Sequence, residues 1–277
     1  MNELPENQTV SRQINEAVQG RTITKVCNAT KLHKNTFWFG DPLTYEKLLT
    51  GKRIVSSESF GMYVDILMEE GTKISFGDGT NLRHGVITQK MPANYQLLLT
   101  LDNNTYLVFT VGMFGAIAAY NGIYDDPYYQ KSANSISPLS DDFNNVYFDS
   151  LFTQNKPALP VKLFLAAEQR IPGLGNGVLQ DILFNAGIHP KRQLNTLTDT
   201  EKSVLFQSIK RTLKTMTSLG GRDTETDLFG NKGGYKTILS RKTSGDLCPQ
   251  CGSRIVKEAF MGGGAVYYCP DCQKIQQ

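Results

Sequence analysis

Cys248-Pro249-Gln250-Cys251 and Cys269-Pro270-Asp271-Cys272 lie near the end of the 277-residue chain, with seventeen residues between the two knuckles. A tetrahedral zinc ion needs four soft ligands, and two C-x-x-C knuckles at this spacing supply them in pairs. The pattern predicts a four-cysteine ribbon holding one Zn2+. Between the knuckles, Ile255-Val256 and Ala265-Val266-Tyr267-Tyr268 read as two short strands, with Gly262-Gly263-Gly264 at the hairpin tip. Four protein ligands leave the metal no open position, so its work is structural. Two disulfides would be the alternative, but the N-terminus lacks the apolar core of a signal peptide. The fifth cysteine, Cys27, falls in a strand-like run and reads as a small core residue. This cysteine usage fits a reducing cytoplasm.

Upstream of the ribbon the pattern is helical. Val161 to Glu168 reads as a short helix entered through Pro160, and Ile171-Pro172-Gly173-Leu174-Gly175-Asn176 is a glycine-rich turn. A helix from about Gly177 to Ala186 follows, then a second turn, Gly187-Ile188-His189-Pro190. A longer amphipathic helix covers 199–218, with Thr198 or Asp199 as its cap. Helices joined by a double turn make a helix-two-turn-helix. Backbone N–H groups at such a turn can clasp a phosphate, with Gly175 allowing close approach and Asn176 as side-chain donor. His189 has no other ligand type near it and reads as structural. Residues 220–242 combine glycines, basic residues and aromatics, among them Arg222, Phe229, Lys232, Tyr235 and Lys236. They read either as a nucleic-acid contact or as a connector.

The first half differs. Val10, Ile14 and Val18 recur every four residues, predicting a helix over roughly 5–18, with Pro5 in its first turn and Glu3 and Glu6 at its positive end. By itself, Glu3 reads as a helix-end carboxylate. From Thr22 to about Tyr124 strand patterns dominate. The best are Ile23–Cys27, Thr36–Phe39, Tyr63–Leu67, Tyr95–Leu101 and Thr105–Phe109, with Asp102-Asn103-Asn104 as a hairpin turn. They predict a two-layer β-sandwich. Residues 125–145 have linker-like composition. The expected fold class is therefore α+β: an N-terminal helix and sandwich (1–135), a helix-two-turn-helix unit (136–242) and the ribbon (243–277).

Charge divides the same way. Residues 1–150 carry 12 Lys+Arg against 16 Asp+Glu, and residues 151–277 carry 17 against 10, so the halves are −4 and +7. A basic, ribbon-bearing half is the electrostatic footprint of a polyanion partner. No apolar run approaches membrane-spanning length.

Together, the Glu3-Leu4-Pro5-Glu6 start, the sandwich, Gly173-Leu174-Gly175-Asn176 with Ala186-Gly187-Ile188-His189-Pro190, and the terminal four-cysteine ribbon resemble the formamidopyrimidine-DNA glycosylase and endonuclease VIII family. The resemblance covers nearly the whole chain, with the helix-two-turn-helix and ribbon its most specific parts. It implies an enzyme that grips damaged double-stranded DNA between two domains and flips the lesion out. In that family the residue after the initiator methionine is proline. Its freed secondary amine attacks the sugar C1′ to give a Schiff base, and the next residue, a glutamate, assists by proton transfer. A sandwich lysine and a ribbon arginine contact phosphate.

The glutamate persists here as Glu3, but the proline position is Asn2, whose amide is no amine nucleophile. A large second residue predicts that Met1 stays. The lysine position falls at Met62 and the ribbon arginine position at Gly264. The intercalation loop reads Thr110-Val111-Gly112-Met113-Phe114-Gly115, keeping Phe114 without an arginine, while Asn176 and Tyr235 are retained. The DNA-gripping scaffold remains, and the Schiff-base chemistry does not. Three functions are weighed. The first is a glycosylase in which Glu3 activates water or the Met1 amine swings in. The second is a protein that binds damaged or bent DNA without cutting it, with Phe114, Met113 or Met62 as an apolar wedge. The third is a ribbon module acting through protein contacts. We expect a monomer.

Overall fold

A computed structural model describes residues 1–77, 79–153, 158–259 and 264–275. Helix α1 (Leu4–Val18) starts where its chemistry dictates. The Glu3 and Glu6 side chains each accept from the other's backbone N–H in a capping box, and Pro5 needs no N–H in the first turn. Leu4, Val10, Ile14 and Val18 are all buried. So are Asn7, Thr9, Ser11 and Gln13, because α1 lies between strand β3 and the long helix α7 described below.

Nine strands follow among the described residues: β1 (Ile23–Asn28), β2 (Thr36–Phe39), β3 (Ile54–Phe60), β4 (Tyr63–Met68), β5 (Thr72–Gly77), β6 (Thr80–Val86), β7 (Leu97–Leu101), β8 (Thr105–Val111) and β9 (Gly115–Asn121). They form a four-stranded sheet, β1-β7-β8-β6, and a five-stranded sheet, β2-β9-β5-β4-β3. All neighbours are antiparallel except β2 and β9. The two inner faces meet through Ile23, Leu99, Leu107 and Phe109 on one side and Ile66, Ile74, Phe76 and Ile117 on the other. The Phe76 and Phe109 rings pack edge-on with centroids 5.4 Å apart. The short helix α2 (Tyr45–Leu49) closes one end.

The expected sandwich is present, with four strands beyond the five read from pattern. Strand β3 carries Ser56-Ser57-Glu58-Ser59 and pairs on one side only, so it needs no apolar alternation. Strand β9 is alanine-rich, yet it is held by ladders to both β2 and β5. Strand β7 begins at Leu97 rather than Tyr95, because the Gln96 side chain turns to the Lys31 carbonyl and the His33 N–H. The 125–145 stretch is not a linker throughout. Asp126 accepts from the Tyr129 N–H at 2.8 Å and starts helix α3 (Pro127–Asn134). What looked like turn composition is an N-cap followed by proline at the first helical position.

The second half is helical: α4 (Asn145–Thr153), α5 (Val161–Ala166), α6 (Val178–Ala186) and α7 (Asp199–Ser218). Helix α6 ends at Gly187, whose φ of +67° suits a residue without Cβ. Helix α7 starts at a Thr198/Glu201 capping box, and Arg192 ties Glu201 to the preceding turn at 2.7 Å. Phe143, Phe164, Leu179, Ile182, Leu205, Ile209 and Leu213 share the core here, and Leu4 of α1 joins them.

Residues 220–242 are no loose connector. Leu228 is buried in the sandwich core. Its N–H donates to Gln13 Oε1 at 3.0 Å, and its carbonyl accepts from the His84 N–H at 2.9 Å. Arg83 donates to the Asp227 carbonyl and the Thr226 hydroxyl. The segment is a strap from the helical half back onto the sandwich. Strands β10 (Val256–Ala259) and β11 (Ala265–Tyr268) form the terminal hairpin. Gly262 and Gly263, expected at its tip, lie outside the described residues; Gly264 has φ +73°. No helix among the described residues is long and apolar enough to cross a membrane.

Candidate active site and nucleic-acid cleft

Where α1 meets α6, the expected catalytic carboxylate has a structural task. Glu3 is 2% exposed and accepts from the N–H groups of Gly175 (3.1 Å), Gly177 (2.8 Å) and Val178 (2.9 Å). It caps α6 from a distant part of the chain, at the end where the helix dipole favours an anion. The glycines do permit a close approach, but to this carboxylate. A Cβ on Gly175 would lie 2.6 Å from the Glu3 carboxyl carbon, and one on Gly177 would lie 1.6 Å from Arg222 Nη1. The turn's N–H groups, expected to clasp phosphate, are thus taken by Glu3.

Arg222 completes the cluster. Its guanidinium donates to Glu6 at 2.7 and 3.0 Å and to the Met1 carbonyl at 3.1 Å, and it stands 3.6 Å from Glu3. All three charged side chains are buried. Burial raises the Glu3 carboxyl above the usual range, with Arg222 opposing. Burial also disfavours ionised Glu6, but there Arg222 prevails and the net shift is downward. Arg222, expected on a nucleic-acid loop, instead serves as the counter-charge of the N-terminal helix. The Met1 amine pairs with Glu225 at 2.5 Å. Asn2 is 5% exposed, and its Oδ1 has no partner among the described residues.

Beside this cluster, a cavity of about 240 Å³ opens between the two halves. The sandwich contributes Met62, from the β3–β4 turn, and Phe114, from the β8–β9 turn. The helical half contributes Lys162, Gln169, Leu174, Gly175 and Asn176, and Met1 lines it as well. Four expected site residues, Met62, Phe114, Gly175 and Asn176, therefore converge with Met1. Met62 is buried, so it meets the cavity as an apolar wall. Met113 beside Phe114 is 76% exposed. Lys162 was not anticipated. It is 3% exposed, and burial lowers its proton affinity. The available signal was a lone lysine in the apolar run Val161–Ala166.

Asn176 and Gly264, far apart in sequence, also meet. Asn176 Nδ2 donates to the Ala265 carbonyl at 3.0 Å, and a Cβ on Gly264 would lie 3.3 Å from that nitrogen. Asn176 Oδ1 has no partner among the described residues. Gln180 also bonds both Ala265 and Tyr267 of β11, so the ribbon hairpin is docked on the turn.

The formamidopyrimidine-DNA glycosylase N-terminal domain pattern matches residues 1–150, and the formamidopyrimidine-DNA glycosylase H2TH domain pattern matches residues 135–227. The chain belongs to the formamidopyrimidine-DNA glycosylase family. Curated glycosylases of that name from Hydrogenovibrio crunogenus and Neisseria meningitidis serogroup A are 32% and 30% identical to it. The alignments cover 99% of this chain and 97% and 100% of theirs. Lactococcus lactis Fpg, solved with abasic-site DNA, shares the fold with a TM-score of 0.84 at 23% identity, covering 99% of this chain and all of that one.

Tyr235, expected as a nucleic-acid contact, is turned inward. It packs against the helical core, and its hydroxyl meets Asp181 and Asn185. Burial raises the Asp181 carboxyl to about 6, against the pull of the Ile238 and Leu239 N–H groups that it accepts at 2.9 and 2.8 Å. His189 is buried with its ring 4.4 Å from Tyr268, and burial lowers it to about 4, as suits a structural histidine.

The cysteines fulfil the family's ribbon geometry. The Sγ atoms of Cys248, Cys251, Cys269 and Cys272 all lie within 4.8 Å of one another. The Cys251–Cys269 and Cys248–Cys272 pairs are 3.4 and 3.8 Å apart. A tetrahedral zinc with Zn–S bonds of ~2.3 Å has sulfur–sulfur edges of about 3.8 Å. The donor set therefore fits zinc.

The buried cluster yields a stability prediction. Arg222→Met leaves Glu3 and Glu6 without their counter-charge, and breaking one partner from a buried set costs about 3–5 kcal/mol. Thermal melting near neutral pH should fall by on the order of 10 °C. Because Glu6 is held low in the folded chain, its contribution is full above the unfolded carboxylate value of ~4.3 and fades as pH drops through the folded one. The gap between variant and native chain should narrow accordingly on acidification. A melting point unchanged at neutral pH would contradict the cluster's role.

Proposed function

We propose that this chain binds damaged duplex DNA as a monomer and turns the lesion out of the stack into the cleft cavity. It releases the base by N-glycosidic hydrolysis using Glu3, without the family's proline-derived Schiff base, so strand cleavage by lyase chemistry is weak or absent. The family's glycosylases and the abasic-site DNA held by the Lactococcus lactis neighbour support the general class. The observation that carries the finer reading is Asn2. Its nitrogen is an amide, with the lone pair delocalised into the carbonyl. Water must then supply the oxygen that bonds to C1′ as the C1′–N bond breaks. Glu3 takes the water proton, and the base leaves with the bonding electron pair. This route suits a base whose glycosidic bond is already weak, such as an alkylated purine. Met1, Met62 and Phe114 give the cavity its apolar walls, and Lys162 and Asn176 its polar ones. Asn176 and Gly264 mark where the turn and the ribbon would meet the DNA backbone. The units of this proposal are the sandwich with α1 and α3 (1–135), the helix-two-turn-helix (136–242) and the ribbon (243–277), in a cytoplasmic protein working at the nucleoid. One structural Zn2+ on the four cysteines would fix the hairpin and supply no chemistry to the reaction.

The burial of Glu3, with both carboxylate oxygens engaged by backbone amides, favours a second reading: lesion binding without excision. One experiment separates the two. Duplexes carrying oxidised, ring-opened, alkylated or abasic sites are incubated with the protein, with and without borohydride. Released base, strand cleavage and covalent adduct are then scored. Hydrolysis predicts free base without adduct, and a fall of about 10²–10⁴-fold in Glu3→Gln, with melting monitored to exclude unfolding. Lesion-selective binding with no free base would leave the binding reading. An adduct with the native chain would sink the claim that amine chemistry is gone.

A further inference from the structure

We propose that a groove along the C-terminal half of α7 docks an acidic peptide, about five residues long and carrying one apolar side chain. The groove encloses about 590 Å³ and shares no lining residue with the cleft cavity. Its floor follows from helix periodicity. Gln207, Lys210, Arg211, Lys214, Thr217 and Ser218 recur at spacings of three and four and so form one stripe. Leu205, Ile209, Leu213 and Met216 face the core instead. The far wall is Pro138, Leu139 and Asp141.

Three cations line the groove against one carboxylate, a local balance of +2. Lys210 Nζ donates to the Ser140 and Phe143 carbonyls at 2.8 and 3.2 Å, which holds the wall in place and leaves the charge uncompensated. Among the described residues, no ion pair engages Arg211 or Lys214. Thr217 Oγ1 is shielded from solvent and has no partner among the described residues. The stripe from Gln207 to Ser218 spans about 16 Å of helix, the reach of about five extended residues. Pro138, Leu139 and the aliphatic stems of the lysines and Arg211 give an apolar side chain its seat. A duplex backbone offers phosphates but nothing to fill that seat, so the lining favours a peptide.

The test uses the full-length protein and a fluorescent pentapeptide of four acidic residues followed by one leucine. Saturable anisotropy binding is expected, weakened at least about tenfold by Arg211→Glu with Lys214→Glu. Melting and affinity for duplex DNA should stay within about twofold of the native chain, as exposed substitutions outside the cleft predict. The proposal is overturned if an uncharged peptide with glutamines in place of the acids binds equally well. Unchanged acidic-peptide binding by the charge-reversed variant also overturns it. So does a loss of duplex affinity in that variant without loss of peptide binding, which would give the groove to DNA.

Discussion

Asn2→Pro, expressed so that the initiator methionine is removed, is expected to form a borohydride-stable adduct with abasic-site duplex where the native chain forms none. The substitution puts a secondary amine where α1 begins, one residue before the Glu3 carboxylate and beside the cavity lined by Gly175 and Asn176. An amine held in place competes with solution amines at effective molarities of ~10⁵ M or more, so a gain of at least about 10²-fold in trapped adduct is a conservative expectation. Intact-mass measurement checks that methionine has been removed. If the processed variant traps nothing while still binding the duplex, the lost chemistry does not reside at position 2. The Glu3 and Arg222 framework would then have moved the N-terminus away from the sugar.

Chelation should have the largest effect on stability. Stripping metal from the ribbon removes a binding free energy of about 10–16 kcal/mol for structural zinc sites of this kind. Without it, the hairpin of β10 and β11 has two short strands and a small cluster around Phe184, Leu239 and Ile255 to hold it. A two-stranded hairpin alone is marginal in water. Strong chelators should release one zinc per chain, and the ribbon should become protease-sensitive while the sandwich keeps its melting transition. A metal-free preparation with an unchanged ribbon would reject the site. Because Asn176 and Gln180 bond to Ala265, the helix-two-turn-helix should lose part of its order at that turn as well.

Much of this architecture was legible in the chain because it rests on local rules. The knuckle spacing fixes the ribbon, and the Thr198/Glu201 box and Gly187 mark helix ends through nearby backbone groups. Strands β3 and β9 were not legible, since serines and alanines become strands only when a neighbouring ladder holds them. Asp125-Asp126-Pro127 has the composition of a linker because a cap and a turn use the same residues. At the site, the types were right and the partners were not. Gly175 and Gly177 do admit a close anion, but it is Glu3. Arg222 and Tyr235 look like nucleic-acid contacts, and tertiary structure spends both on buried carboxylates. A charged or hydroxyl side chain does not announce its partner, which for Arg222 lies 216 residues away.

The strap that carries Leu228 into the sandwich has a consequence for biosynthesis. The first hundred and twenty residues leave the ribosome before Leu228 can join their core, and with Glu3 and Glu6 still lacking Arg222. The amino-terminal half must therefore wait, incompletely formed, for the last quarter of the chain to be translated. A truncated product ending near residue 150 should accumulate as a sticky, chaperone-bound species rather than as an autonomous sandwich.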